Sequence, residues 1–396
     1  MSRSLENLEQ FAIDVILERR RGARATLLRS FLYVLSLVYA RLVQLRLWLY
    51  RKRLLRERTL GCLVISIGNL TVGGTGKTPI VEKFARALQH GGRRVAILSR
   101  GYKSVPRPSK RSWMARLRNS NIDPPRIVSD GKSLLLDSLT AGDEPYMLAN
   151  NLKNVVVLVD KDRVKSGLFA IERMNVDTLL LDDGLQYLHL KHRLDIVLID
   201  RQAPFGNEFL LPRGTLREPP RNLRRASYIF ITKSTAGSNA DLIERIRRYN
   251  RTAEIIECAH QPLHLQNVVT GEIVSLTSLK DAFIGSICGI AAPESFEAGL
   301  RELGAHIEIA KRYADHHRYT EAELRSFISR CIRRDLEMIV TTEKDAVRFP
   351  LLGKTDVPIL FLRVEIAILT GHETWEQCVS RICKPQPLLS PERFFA

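Results

Sequence analysis

From residue 59 onward the chain alternates two apolar patterns. Short runs rich in Val, Ile and Leu, namely LVISIG (63–68), VAILS (95–99), VVVLV (155–159), DTLLLD (177–182), DIVLID (195–200) and YIFIT (228–232), are separated by stretches of helical character, the first over residues 77–90. Strands that are apolar without alternation are buried on both faces. The pattern therefore predicts an α/β fold, a mostly parallel twisted sheet with helices on both sides.

Ahead of this region, residues 27–50 (LLRSFLYVLSLVYARLVQLRLWLY) are strongly apolar but broken by Arg29, Arg41 and Arg46. The longest uncharged run, 30–40, falls well short of the roughly 20 apolar residues a spanning helix needs. An arginine near mid-bilayer also costs about 2.5–3.5 kcal/mol on insertion scales, so a poor transmembrane helix is predicted. Residues 1–58 carry a net charge of +8, and the basic cluster RKRLLRER (51–58) follows Trp48 and Tyr50. That combination predicts an amphipathic helix lying on an anionic membrane surface. The same helix packed on the protein's own core, or an arm for nucleic acid, are the other readings.

Composition changes this picture only at the margins. The 396 residues suffice for two or three domains, and 45% hydrophobic with 26% charged residues excludes a wholly disordered chain. The net charge of +18 draws the chain toward phosphates without saying whose. Six cysteines without a CxxC pair suggest neither a zinc site nor a disulfide framework, and the polar, acidic first ten residues do not read as a secretory signal.

Chemistry enters at the loop after the first strand: Thr71, Val72, Gly73, Gly74, Thr75, Gly76, Lys77, Thr78. Glycines let backbone N–H groups turn toward a phosphate chain, a lysine reaches the β and γ phosphates, and a threonine hydroxyl ligates magnesium. Thr71 replaces the first glycine of GxxxxGK[ST], so the match is to the narrower GGxGKT form of a P-loop. Asp182 and Asp183 close the strand DTLLLD, at the edge where a parallel sheet meets its ligands. There they can hold magnesium as a Walker B aspartate does, or serve as a plain turn or helix cap.

These motifs, in this order, resemble the tetraacyldisaccharide 4′-kinases, the lipid A kinase (LpxK) family. The matching stretches are ISIGNLTVGGTGKTP (65–79), LSRGY (98–102), GDEP (142–145), LDDGLQY (181–187), LLPRGTLREP (210–219), ADHHRYT (314–320) and TTEKDAV (341–347). The resemblance implies a P-loop core domain, here 59–235, a smaller carboxy-terminal α/β domain, 236–396, and an amino-terminal membrane-surface segment, 1–58. It also implies ATP and magnesium as cofactors, phosphorylation of the 4′-hydroxyl of a tetraacyldisaccharide 1-phosphate to lipid IVA, and a place on the cytoplasmic face of the inner membrane of a Gram-negative-type bacterium. A monomer that binds no nucleic acid is expected.

By the same resemblance Asp143 is the base for the sugar hydroxyl, although an Asp before Glu and Pro is also a good helix start. His316 is its partner by family comparison, with His317 left open beside it. Arg217 and Glu218 fit phosphate neutralisation and magnesium coordination, or an exposed ion pair; Arg163 is a further phosphate contact. Tyr187 stands where the family has histidine and receives no catalytic role, and the basic insertion 104–126 reads as a surface loop. Glu343, Lys344 and Asp345 match the family without a physical role.

A competing reading is a membrane-recruited P-loop GTPase or ATPase switch that transfers phosphate to no small substrate. Against it, ITKS (231–234) and TEKD (342–345) miss the spacing of a guanine motif, and Val72 stands where partner-organising ATPases carry lysine.

Overall fold

The computed structural model describes residues 11–101, 123–235 and 237–384. Most of the 104–126 insertion lies outside the described residues. Thirteen strands form one sheet with path order β11-β10-β12-β13-β8-β7-β6-β1-β5-β2-β4-β3, and β9 pairs with β8. The first half comprises β1 (Leu63–Asn69), β2 (Val95–Ser99), β3 (Arg126–Asp130), β4 (Val156–Val159), β5 (Thr178–Asp182), β6 (Leu194–Asp200) and β7 (Tyr228–Thr232). All of these pair in parallel except the edge strand β3, which runs antiparallel to β4. The buried Val, Ile and Leu runs thus form the sheet their pattern predicts, with both faces covered.

Strand β1 lies between β5 and β6: β2 to β5 fill one side of it, out to the edge strand β3 and back to β5, and β6 begins the other side. This reversal opens a crevice at the carboxyl ends of the central strands. Helix α1 (Ala23–Arg51) precedes the sheet, and α2 (Lys77–His90) follows β1 directly. Ile80, Val81, Phe84, Ala85 and Leu88 of α2 are fully buried, at the spacing of one helical face.

The second half contains β8 (Glu254–Asn267), β9 (Ile273–Val274), β10 (Phe283–Cys288), β11 (His306–Arg312), β12 (Met338–Thr342) and β13 (Ile359–Thr370). β8 continues the first half by pairing in parallel with β7, then runs antiparallel to β13, which pairs in parallel with β12. The long β8–β13 ribbon is therefore the seam between the halves. The last described helix (His372–Cys383) lies late in the chain yet packs against the first half: Trp375 meets Phe84 edge-on at 4.5 Å, and Phe84 meets Phe230 at 5.6 Å.

Helix α1 has 29 residues and is long and apolar enough, by length and composition, to cross a membrane. Its contacts with the sheet domain include polar side chains: Tyr39 donates to the Arg217 carbonyl at 3.0 Å, and Gln44 to Asn222 Oδ1 at 3.3 Å. Leu27, Phe31, Val34, Val38, Leu42 and Leu45 are exposed. They recur every three or four residues and so form an outward stripe. A helix serving the protein's own core would turn that stripe inward.

Phe84 joins α2 to both β7 and the returning last helix. Phe84→Ala is expected to destabilise the fold by about 3–5 kcal/mol, the usual cost of emptying such a site, read as a lower urea midpoint with an unchanged slope.

Candidate active site

The phosphate cradle follows from its glycines. Gly76 has φ 76° and ψ 31°, the left-handed conformation that lets the chain enter α2 at Lys77. A Cβ at Gly76 would lie 3.2 Å from the His260 ring, so there is little room for a side chain. The loop is tied back to its surroundings: Val72 N–H donates to the Thr215 carbonyl at 2.7 Å, and the Thr232 hydroxyl to the Thr75 carbonyl at 2.9 Å. Asn69 Nδ2 donates to the Thr71 carbonyl at 2.8 Å, while its Oδ1 accepts from Lys77 Nζ at 3.2 Å. Lys77 also lies 3.6 Å from Asp183 Oδ1.

The paired aspartates at the end of β5 occupy different environments. Asp183, with φ 55°, takes both oxygens to Arg217 at 2.9 and 2.7 Å. Burial alone would raise its pKa, but Lys77 and Arg217 outweigh burial and hold it below the ordinary carboxylate range. Asp182 accepts from the Ser99 hydroxyl at 3.1 Å, and its Oδ1 has no hydrogen-bond partner among the described residues. Burial pushes its pKa up to about 7, with the Glu144 and Asp183 charges adding. Neither aspartate caps a helix.

Glu218 is buried. Its Oε1 accepts from Gln186 at 3.2 Å, and its Oε2 from Asn222 at 2.8 Å and Arg225 at 2.7 Å. Gln186 also donates to the Asn69 carbonyl at 3.1 Å, so Glu218 braces the cradle through Gln186. Arg217 N–H donates to the Leu70 carbonyl at 2.7 Å, which fixes the residue beside the loop. Arg163 is buried with its ring neighbour Tyr187 at 5.3 Å, and its Nε has no hydrogen-bond partner among the described residues. The Tyr187 hydroxyl accepts from Arg163 N–H at 3.0 Å and donates to Asp162 at 3.2 Å, a structural brace.

Asp143 opens the helix Asp143–Asn151, whose N-cap is Gly142, and its carboxylate makes no capping bond. It turns instead to the second half. Arg318 Nη2 donates to Oδ1 at 2.7 Å, Arg348 Nε donates to Oδ2 at 2.8 Å, and His316 Nδ1 lies 3.2 Å from Oδ2. Burial opposes ionisation, but His316, Arg348 and Arg318 prevail and lower the pKa to about 2. His317 points elsewhere, to Glu323 at 3.2 Å and in a stack on Tyr313. Lys344 Nζ lies 3.4 Å from His316 Nε2, and Asp345 accepts from Arg348 Nη1 at 3.0 Å.

Arg318 and Arg348 were not singled out by the sequence. Arg348 stands just past TTEKDAV, three residues from Asp345, and that i,i+3 spacing was the available signal. Glu144 was read only as a helix-start residue, yet its charge on Asp182 places the first turn of this helix beside the end of β5.

Among the described residues no group of three or more His, Cys, Asp or Glu side chains could hold a metal alone. Magnesium fits the site in another way, since it is commonly held by one or two carboxylates together with substrate phosphates. The unpartnered Oδ1 of Asp182 suits that use.

The model of the family described as tetraacyldisaccharide-1-P 4′-kinase (LpxK) matches residues 28–384. The chain belongs to this kinase family. A tetraacyldisaccharide 4′-kinase of Syntrophus aciditrophicus is 40% identical over 363 residues, covering 89% of this chain and 92% of the relative. That of Anaeromyxobacter dehalogenans (strain 2CP-C) is 36% identical over 337 residues, covering 84% and 85%. A crystal structure of LpxK from Aquifex aeolicus in complex with ATP superposes with a TM-score of 0.69 at 29% identity, covering 90% of this chain and 99% of that one. Family membership decides for a kinase over the partner-organising switch.

The raised pKa of Asp182 has a thermodynamic sign. A folded-state value above the ordinary one means that the fold favours the protonated carboxyl; this contribution is present below about pH 4 and lost as pH rises through about 7. The melting temperature of the wild type should therefore fall relative to Asp182→Asn between pH 4.5 and 8, as followed by circular dichroism. Parallel pH profiles would refute the assignment.

Proposed function

We propose that this chain transfers the γ-phosphoryl group of ATP to the 4′-hydroxyl of a tetraacyldisaccharide 1-phosphate at a membrane surface, giving lipid IVA. The observation that carries the reading is Asp143, a buried carboxylate turned off its own helix and gripped by His316, at the edge of the sheet that bears the cradle. Backbone amides of residues 73–78 and Lys77 bind the phosphates, and Arg217 faces the charge that spreads during transfer. Magnesium would be held by Thr78, Asp182 and Asp183, with Glu218 behind them, and would neutralise phosphate oxygens when bound.

Asp143 accepts the hydroxyl proton, oriented by His316. A pKa of about 2 makes it a weak base at neutral pH. In a loose transition state the attacking oxygen becomes acidic only as its bond to phosphorus forms, so proton transfer comes late and orientation dominates. Arg318 and Arg348 keep the carboxylate ionised and fixed.

The outward apolar stripe of α1 and the basic residues around it support contact with the cytoplasmic face of a bacterial membrane, where the lipid acceptor is presented. Replacing Phe31, Val38 and Leu42 together with Ser should weaken association with anionic vesicles at least tenfold, roughly 1.4 kcal/mol or more. Unchanged sedimentation with vesicles would place the lipid contact elsewhere.

The function itself is tested with radiolabelled ATP and the tetraacylated acceptor in detergent, followed by mapping the label. Label should appear on the 4′-oxygen. Lys77→Ala and Asp143→Ala should each lower turnover by about 100-fold or more, with Asp143→Ala retaining ATP affinity because its contribution belongs to the transition state. Wild-type turnover by Asp143→Ala removes it from the mechanism.

A further inference from the structure

We propose that Arg363 is a positioning residue for phosphoryl transfer, joining the three elements that carry Lys77, Asp143 and Lys344. The inference rests on the kinase reading above. Arg363 sits on β13 at the register shift between Arg363 and Val364, on the seam between the halves, and is 7% exposed. Its guanidinium forks: Nη1 donates to Glu343 Oε2 at 2.5 Å, and Nη2 to Glu82 Oε1. Asn151 Nδ2 spans the same two carboxylates, donating to Glu343 Oε1 at 2.6 Å and to Glu82 Oε2 at 3.4 Å. Arg86 closes the outer side, with Nη2 on Glu82 Oε1 at 2.6 Å and Nη1 on Glu365 at 2.7 Å.

Each element reaching this cluster also carries a residue of the site. Helix α2 begins with Lys77 and contributes Glu82 from its second turn. The helix Asp143–Asn151 begins with Asp143 and ends with Asn151. The turn Glu343–Ala346 begins with Glu343, followed by Lys344 at His316 and by Asp345 at Arg348. The phosphate-binding and proton-accepting groups are thus set relative to one another through one buried cation that touches neither.

The energetics favour this role. Glu82 and Glu343 are two largely buried carboxylates, and burial together with the charge of Glu343 disfavours ionisation of Glu82. Arg363 is the cation whose planar fork serves both, which a lysine ammonium can do only as a point charge. Without it the carboxylates repel, and the three elements shift relative to one another. A displacement of about 1 Å at reacting groups can cost 100-fold in rate. Nucleotide affinity should change little, because the cradle grips phosphate through the backbone of residues 73–78.

The experiment measures steady-state transfer from ATP to the tetraacylated acceptor by full-length protein in detergent, with binding of a fluorescent ATP analogue measured separately. Arg363→Gln is expected to lower kcat by about 100-fold, with KM for ATP and analogue affinity within about threefold, and Arg363→Lys to recover to within about tenfold of wild type. A structural role alone would lower the melting temperature while leaving kcat per folded molecule unchanged, and that result overturns the proposal. Should Arg363→Gln not fold, Glu343→Gln keeps the shape and removes one charge; about a tenfold lower kcat at unchanged KM supports the proposal, and wild-type kcat overturns it. Absence of transfer by the wild type defeats the functional reading and this inference with it. Transfer at equal rates by wild type and folded Arg363→Gln defeats the inference alone.

Discussion

A carboxylate removed from water must be met by positive charge or take up a proton, and two acidic groups at the centre of this molecule, Asp143 and Asp182, show the two outcomes. Asp143 comes from the first half of the chain, while Arg318, Arg348 and His316 come from the second. Separating the halves would strip this carboxylate of its partners, and the penalty of an unmatched buried charge is several kcal/mol. The Asp143 cluster is therefore complete only when both halves are packed. Asp182, which has Ser99 but no salt-bridged cation, shows the other outcome in a raised proton affinity.

This division gives the site two ends of different character. The phosphate end is largely local: strand, glycine loop, lysine and helix follow one another within residues 63–90. The Asp143 end is assembled from far apart, with residues 143, 316, 318 and 348 brought together across the halves that the antiparallel seam of β8 and β13 joins. Asp183 ties the cradle to a later loop, since Lys77 and Arg217 both hold it. Environment pushes neighbouring Asp182 and Asp183 in opposite directions, an arrangement typical of sites that divide labour between like groups.

Helix α1 follows a related rule with its faces exchanged. Tyr39 and Gln44 meet polar groups of the sheet domain, and the apolar stripe faces away from it. Arg41 and Arg46 are exposed as well, so the charges that break the apolar run can remain in contact with polar surroundings. Average hydropathy over the helix is high enough for a span, but the arrangement of its residues suits a surface.

By itself, the sequence determined whatever depends on neighbours along the chain. Uninterrupted Val, Ile and Leu runs imply a doubly covered parallel sheet, and a GGTGKT loop between strand and helix has few uses other than gripping phosphate. Choosing His316 over His317 required the fold, because adjacent residues differ only in direction, and φ 65° at His316 turns it toward Asp143. Arg318, Arg348 and Arg363 were hidden for a similar reason: one arginine among many in a basic chain is distinguished only by burial and by the carboxylates it meets. Local pattern follows from covalent succession, whereas the pairing of buried charges depends on distances that only the folded chain sets.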